Sequence, residues 1–132
     1  MSPTEVLQAW HDAVNAHDVD AAVALCTPDV AVGGPRGTGH GHEVVRAWLV
    51  RSGIELRPQH DLVVADGHAV VHEKARWRTT DDAPVQLRDG SEHDTWVVFD
   101  VADGMLTAVR RFETEEDALR EGSAPEAPTS SV

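Results

Sequence analysis

The chain has 132 residues and a mass of 14.3 kDa, 41% apolar and 26% charged; that suffices for one hydrophobic core but not two, and excludes a disordered, collagen-like or coiled-coil chain. Asp and Glu number 23 against 11 Lys and Arg, and the net charge of −12 repels phosphate backbones and anionic lipids, arguing against nucleic acid and membrane partners. One cysteine, Cys26, excludes an internal disulfide and, in an apolar stretch, reads as an inert core thiol.

The opening M-S-P-T-E-V-L-Q-A-W lacks the basic start and apolar run of a signal peptide, and no apolar run approaches a membrane span, so a cytoplasmic location is expected. Ser2-Pro3-Thr4-Glu5 reads as a capping box with proline at the first helical position. Val6, Leu7, Trp10, Ala13, Val14 and His17 then share one arc of an amphipathic helix. Asp18 caps a second, short helix carrying Ala22, Val23 and Leu25, which Pro28 closes. Val30–Val32 is a short strand candidate, and the glycine-rich run from Gly33 to Gly41 reads as a loop. A third helix over 42–52 carries Val44, Val45, Trp48 and Leu49 and stops at Gly53.

After Gly53 the period changes from 3.6 to 2. Asp-Gly pairs at 66–67, 89–90 and 103–104 mark two-residue hairpin turns, because both residue types accept positive φ. An antiparallel meander over about 56–65, 68–78, 91–102 and 105–113 is predicted, with room for a short extra strand between Thr79 and Gly90. Thr114 and Asp117 form a second capping box, opening a short helix to about Arg120. One domain over 1–121 is expected. Residues 122–132, with S-A-P-E-A-P-T-S-S-V and no apolar periodicity, read as a disordered tail.

Helices first and an antiparallel sheet after give an α+β class. The element order and three segments, V-L-Q-A-W-H-D-A-V-N-A-H-D-V-D-A-A-V-A-L, D-V-A-V-G-G-P-R-G and V-F-D-V-A-D-G-M-L-T-A-V-R-R-F, carry a resemblance: the chain resembles the nuclear transport factor 2-like superfamily, in its SnoaL-like polyketide cyclase and ketosteroid isomerase branch. The resemblance implies a cone, a curved antiparallel sheet with three N-terminal helices on its concave face and a short C-terminal helix. It also implies a pocket for a small hydrophobic organic molecule and a homodimer. The scaffold hosts isomerases, dehydratases, hydrolases, cyclases and binders, so it does not name a reaction. The branch's isomerases place a carboxylate before a loop proline, a phenol on helix one and a protonated acid on a long strand. Those places hold Gly34, Trp10 and Val97 here, and the chain has no tyrosine; an isomerase of that design is not expected.

Turns centred on Asp66-Gly67 and Asp103-Gly104 would pair His60 with Glu73 and group Arg110 with Thr95, Val97, Phe99, Val101, Leu106, Ala108 and Phe112 on the helix-facing side. His60, Glu73 and Arg110 then stand as three polar groups in an apolar wall. The functional reading makes Glu73 a general base or acid, Arg110 an anion or carbonyl partner and His60 a shuttle; the structural one is a buried Glu73–Arg110 ion pair. Trp10, Trp48, Trp77, Val97 and Phe99 are the expected apolar lining, with His40 at the mouth and Arg36 in the same loop. His40-Gly41-His42-Glu43 offers metal-type ligands, but a helix follows at once and further ligands would have to come from elsewhere, so no metal and no cofactor are expected. Trp96 and Val98 point outward, which suggests a covered surface and a homodimer. Either a cofactor-independent acid–base enzyme or a non-catalytic binding or interaction module fits these features.

Overall fold

Ser2 Oγ accepts from Glu5 N (3.2 Å) while Glu5 Oε1 accepts from Ser2 N (2.8 Å), and this reciprocal cap starts α1 (Pro3–Asn15). The structure, a computed structural model, describes residues 1–34, 37–76 and 92–122; Arg36, Trp77, the Asp89-Gly90 turn and the tail beyond Gly122 lie outside the described residues. Asp18 Oδ1 accepts from Ala21 N at 3.1 Å and opens α2 (Val19–Ala24). β1 (Cys26–Gly34) begins well before Val30 and runs through Pro28. Proline is tolerated there because β1 is out of register with its neighbour between Cys26 and Ala31, so no ladder hydrogen bond is lost.

The glycine-rich segment is not a loop: β2 (Gly37–His40) pairs antiparallel with β1. Glycine eases one point of this hairpin, since a Cβ on Gly33 would sit 2.9 Å from Thr38 Oγ1 and 3.1 Å from Arg110 Cγ and would push one of those side chains aside. α3 (His42–Ser52) ends at Gly53 in the left-handed conformation (φ 54°). β3 (Glu55–Pro58), β4 (His68–Arg76), β5 (His93–Ala102) and β6 (Met105–Phe112) follow. Then comes α4 (Glu115–Gly122), whose first turn is capped by Thr114 Oγ1 accepting from Asp117 N (3.1 Å).

Among the described residues six strands form one curved, unclosed sheet in the order β2-β1-β6-β5-β4-β3, antiparallel except where β1 meets β6 in parallel. The fold is the expected α+β class. One core joins Val6, Leu7, Trp10 and Val14 of α1, Ala22 and Val23 of α2 and Val45 and Leu49 of α3 to Ala69, Val71, Val97, Phe99, Leu106 and Val109 of the sheet. Helices α1, α2 and α3 therefore cover the concave, inner face.

Both described Asp-Gly turns are present, with φ of 53° and 76° at Asp66 and Gly67 and 53° and 78° at Asp103 and Gly104. The register beyond each turn differs from the simple one. Past Ala65↔His68, residues 60–64 face only 69–71, so Pro58, not His60, pairs with Glu73. Past Val101↔Leu106, Thr107 is an extra residue on β6, and Asp100 pairs with Ala108. That bulge turns Ala108, Arg110 and Phe112 to the outer face and brings Val109 and Arg111 to the inner one.

Candidate functional site

Among the described residues the inner face holds one buried acid, Glu73, wholly shielded from solvent. Its Oε1 lies 2.9 Å from Nε2 of His11, which is itself 2% exposed. Leu7, His11 and Val14 recur at helical spacing on the face of α1 that meets the sheet, which is why the imidazole points into the core. His11 Nδ1 donates to the Leu7 carbonyl oxygen at 2.7 Å. A carbonyl can only accept, so Nδ1 carries a proton and a second proton must lie between Nε2 and Oε1. The pair is then either imidazolium–carboxylate or imidazole–carboxylic acid, neutral overall in both forms, and this neutrality is what permits its burial.

Burial alone would pull the His11 pKa down; the Glu73 hydrogen bond and charge outweigh it, helped by the Leu7 carbonyl, and the pKa is raised above its ordinary value. The other carboxylate oxygen, Oε2, is buried with no hydrogen-bond partner among the described residues, and so is Trp10 Nε1. Phe99 orients both aromatic neighbours, with Trp10 edge-on at 6.5 Å between ring centroids and His11 tilted at 5.5 Å.

Beside Glu73 on β5 is its cross-strand partner Thr95, also buried. Thr95 Oγ1 accepts from Arg111 Nη1 (3.1 Å) and donates to the Phe112 carbonyl oxygen (2.8 Å). Arg111 Nη1 is also 2.6 Å from Glu113 Oε2, and Glu113 Oε1 is 3.2 Å from His93 Nε2. Desolvation would raise the Glu113 pKa, but the hydrogen bond and charge of Arg111, with His93, hold it below its ordinary value.

Of the residues singled out from the sequence, Glu73, Trp10, Val97 and Phe99 come together on the inner side, all fully buried, and Trp48 is partly buried against the same core. Trp77 lies outside the described residues. Arg110 is corrected: it is on the outer face, 3.5 Å from Asp100 Oδ2, and does not meet Glu73. His60 is corrected too, since the 60–64 excursion leaves it exposed, with its ring 6.0 Å from that of outward-facing His72. His40 is exposed on the edge strand β2, and His42 Nε2 donates to the Cys26 carbonyl oxygen at 2.9 Å. Among the described residues no three His, Cys, Asp or Glu side chains are grouped to hold a metal ion. Cys26 is buried, its thiol pKa pushed up to about 12 by desolvation.

His11 and Arg111 were missed. His11 was legible in principle, because Leu7, Trp10, His11 and Val14 follow the i, i+3, i+4, i+7 pattern; Arg111 was hidden by the bulge. A cavity of about 180 Å³ lies away from Glu73, on the helical side against Val14, His17, Asp18, Leu49 and Val50. Its polar groups are already engaged: His17 Nε2 is 3.1 Å from Glu55 Oε2, and Asp18 caps α2.

The sequence profile of the SnoaL-like domain matches residues 7–109. The chain belongs to the SnoaL-like domain family. Similar solved structures include an NTF2-like protein of unknown function from Cytophaga hutchinsonii, 11% identical over 91% of this SnoaL-like chain and 96% of that one, with a TM-score of 0.72. Another is the epoxide hydrolase/cyclase-like enzyme SalBIII of pyran ring formation in salinomycin, 18% identical over 87% and 92%, TM-score 0.70. TerC, crystallised with polyporic acid, is 19% identical over 91% and 97%, TM-score 0.68. At these identities the likeness of the SnoaL-like chain to each is one of fold. No curated protein matches it in sequence. No described helix is long and apolar enough to cross a membrane.

Proposed function

We propose that the inner face binds a small, mainly apolar organic molecule and that Glu73, partnered by His11, carries out acid–base chemistry on it without a cofactor: isomerisation, dehydration, cyclisation or hydrolysis. The observation that supports this most is Glu73 Oε2, a carboxylate oxygen with no partner among the described residues, on a group whose other oxygen shares a proton with His11. An unpartnered buried oxygen is costly to a fold and useful to a reaction, because a substrate proton can complete its hydrogen bonding. The apolar lining of Trp10, Val97 and Phe99 suits a hydrophobic body.

The test is exchange of the α-protons of 2-tetralone for deuterium, followed by proton NMR with Glu73→Gln beside the wild-type chain. Loss of at least tenfold in the catalysed rate by a variant that melts within a few degrees of wild type supports the enzyme. Equal exchange with and without Glu73, or collapse of the fold on substitution, leaves a structural pair. The second reading, a non-catalytic binding module, would then stand; it draws on Gly34 and Trp10 occupying places where the related isomerases carry a base and a phenol.

The homodimer belongs with this proposal. The outer face presents Trp96, partly exposed and stacked on His72 (4.8 Å, 10° between ring planes), beside its cross-strand partner Phe112, an aromatic patch suited to a second copy. Light scattering should give twice the chain mass for wild type and one chain mass for Trp96→Glu. A monomeric wild type at micromolar concentration overturns it.

A further inference from the structure

We infer that Arg111, braced by Thr95 and Glu113, is an anion subsite on the inner face, and that the molecule handled by Glu73 is an apolar organic acid bearing a carboxylate or phenolate. The inference rests on the acid–base reading of Glu73 and adds to it the substrate's charge. Among the described residues Arg111 is the one Arg or Lys on the inner face of β3–β6, placed there by the Thr107 bulge and paired with Val97 across the strands. Its side chain is 12% exposed, so solvent screens its charge less than that of a surface arginine.

Thr95 links the two ends of the site: it is the cross-strand partner of Glu73, and its Oγ1 takes a hydrogen bond from Arg111. The His11–Glu73 pair is neutral overall and does not repel an incoming anion. At the Arg111 end one counter-ion is Glu113, whose side chain is 40% exposed and also bonded to His93. A ligand carboxylate can take the guanidinium fork in its place while Glu113 passes to His93 and water. The apolar ring system of such a ligand would lie along Val97 and Phe99, with its reactive carbon toward Glu73 Oε2. Trp10 Nε1–H, which has no partner among the described residues, offers a further donor to a ligand oxygen.

The experiment compares 2-naphthoate with 2-naphthamide, nearly equal in shape and differing in charge, titrated into the full chain and followed by NMR at the Trp10 indole N–H and the Arg111 Nε–H. Naphthoate should bind wild type at least tenfold more tightly and shift both resonances, whereas naphthamide should leave Arg111 Nε–H in place. Arg111→Gln should reduce the preference to less than about threefold, and Arg111→Lys, which keeps the charge without the fork, should fall between. If Arg111→Gln does not fold, the Arg111 Nε–H response of wild type decides by itself. Equal binding of both probes with a moving Trp10 resonance overturns the anion subsite and leaves the inner-face site standing. If neither probe moves Trp10, the inner-face site and the anion subsite fall together.

Discussion

Gly67 has a φ of +76°, and a Cβ built on it would lie 2.4 Å from the Val101 carbonyl oxygen, backbone that cannot step aside. The Val101 amide in turn donates to the Gly67 carbonyl oxygen at 2.7 Å, so the turn is tied to the adjacent strand. The left-handed penalty alone is about 1–2 kcal/mol for an L-residue. With the collision added, Gly67→Ala should cost at least about 2 kcal/mol in urea unfolding. His11 provides the pH dependence. Its pKa is raised in the folded chain, so above the unfolded value of about 6.5 the native state binds more protons than the unfolded one and stability falls with rising pH. The stability lost on His11→Gln should therefore be larger at pH 6 than at pH 9; an equal loss at both would contradict the proton count derived for the pair. Glu73 was legible from the sequence because the parity of β4 survives an error of two residues in pairing. Arg110 and Arg111 were exchanged because they are neighbours, and a single inserted residue suffices to swap their faces.

At the scale of elements, the edge strand β3 shows how an unpaired sheet edge is managed. Asn15, the last residue of α1, donates from Nδ2 to the Leu56 carbonyl oxygen (2.8 Å) and accepts at Oδ1 from the Leu56 amide (2.7 Å), standing in for a further strand. Leu56 is 1% exposed, so losing both bonds leaves buried backbone groups unmet. Asn15→Ala should cost about 1–3 kcal/mol and speed hydrogen exchange at the Leu56 amide well beyond the average change. Helix starts and hairpin turns were legible because each depends on two or three adjacent residues: Ser2 with Glu5, Asp18, Asp66 with Gly67. The bulge at Thr107 and the excursion over 60–64 were not, because they are settled by packing between strands and leave no local signature. Strand β2 escaped notice for a related reason: glycine weakens strand propensity, whereas its pairing with β1 brings Thr38 close against Gly33, where a larger residue would crowd it.

At the scale of the whole molecule, the outer face is a lattice of paired charges. His68 Nδ1 meets Asp100 at 2.6 Å, Lys74 and His72 both meet Asp94 at 2.8 Å, and Arg57 meets Glu92 at 2.7 Å. The Asp94 pKa is lowered, first by the Lys74 hydrogen bond and then by that of His72. These pairs are half-exposed and contribute little stability. Their consequence is that a second copy covering Trp96 would have to match an ordered pattern of both signs, which favours self-association over chance partners.

The parallel contact between β1 and β6 means that the middle of the sheet joins the first strand to the last. On a ribosome, everything up to Ala102 can be outside the exit tunnel while β1 still lacks its neighbour on the β6 side. The opening helices and the β1–β2 hairpin must then wait, loosely collapsed, for the final strand, and closing so long a loop delays the rewarding contacts. A chain ending at Gly104 should accordingly show no cooperative melting transition, and adding residues 105–122 should restore it in one step. A protein so arranged cannot commit to its shape until its sixth strand has left the tunnel.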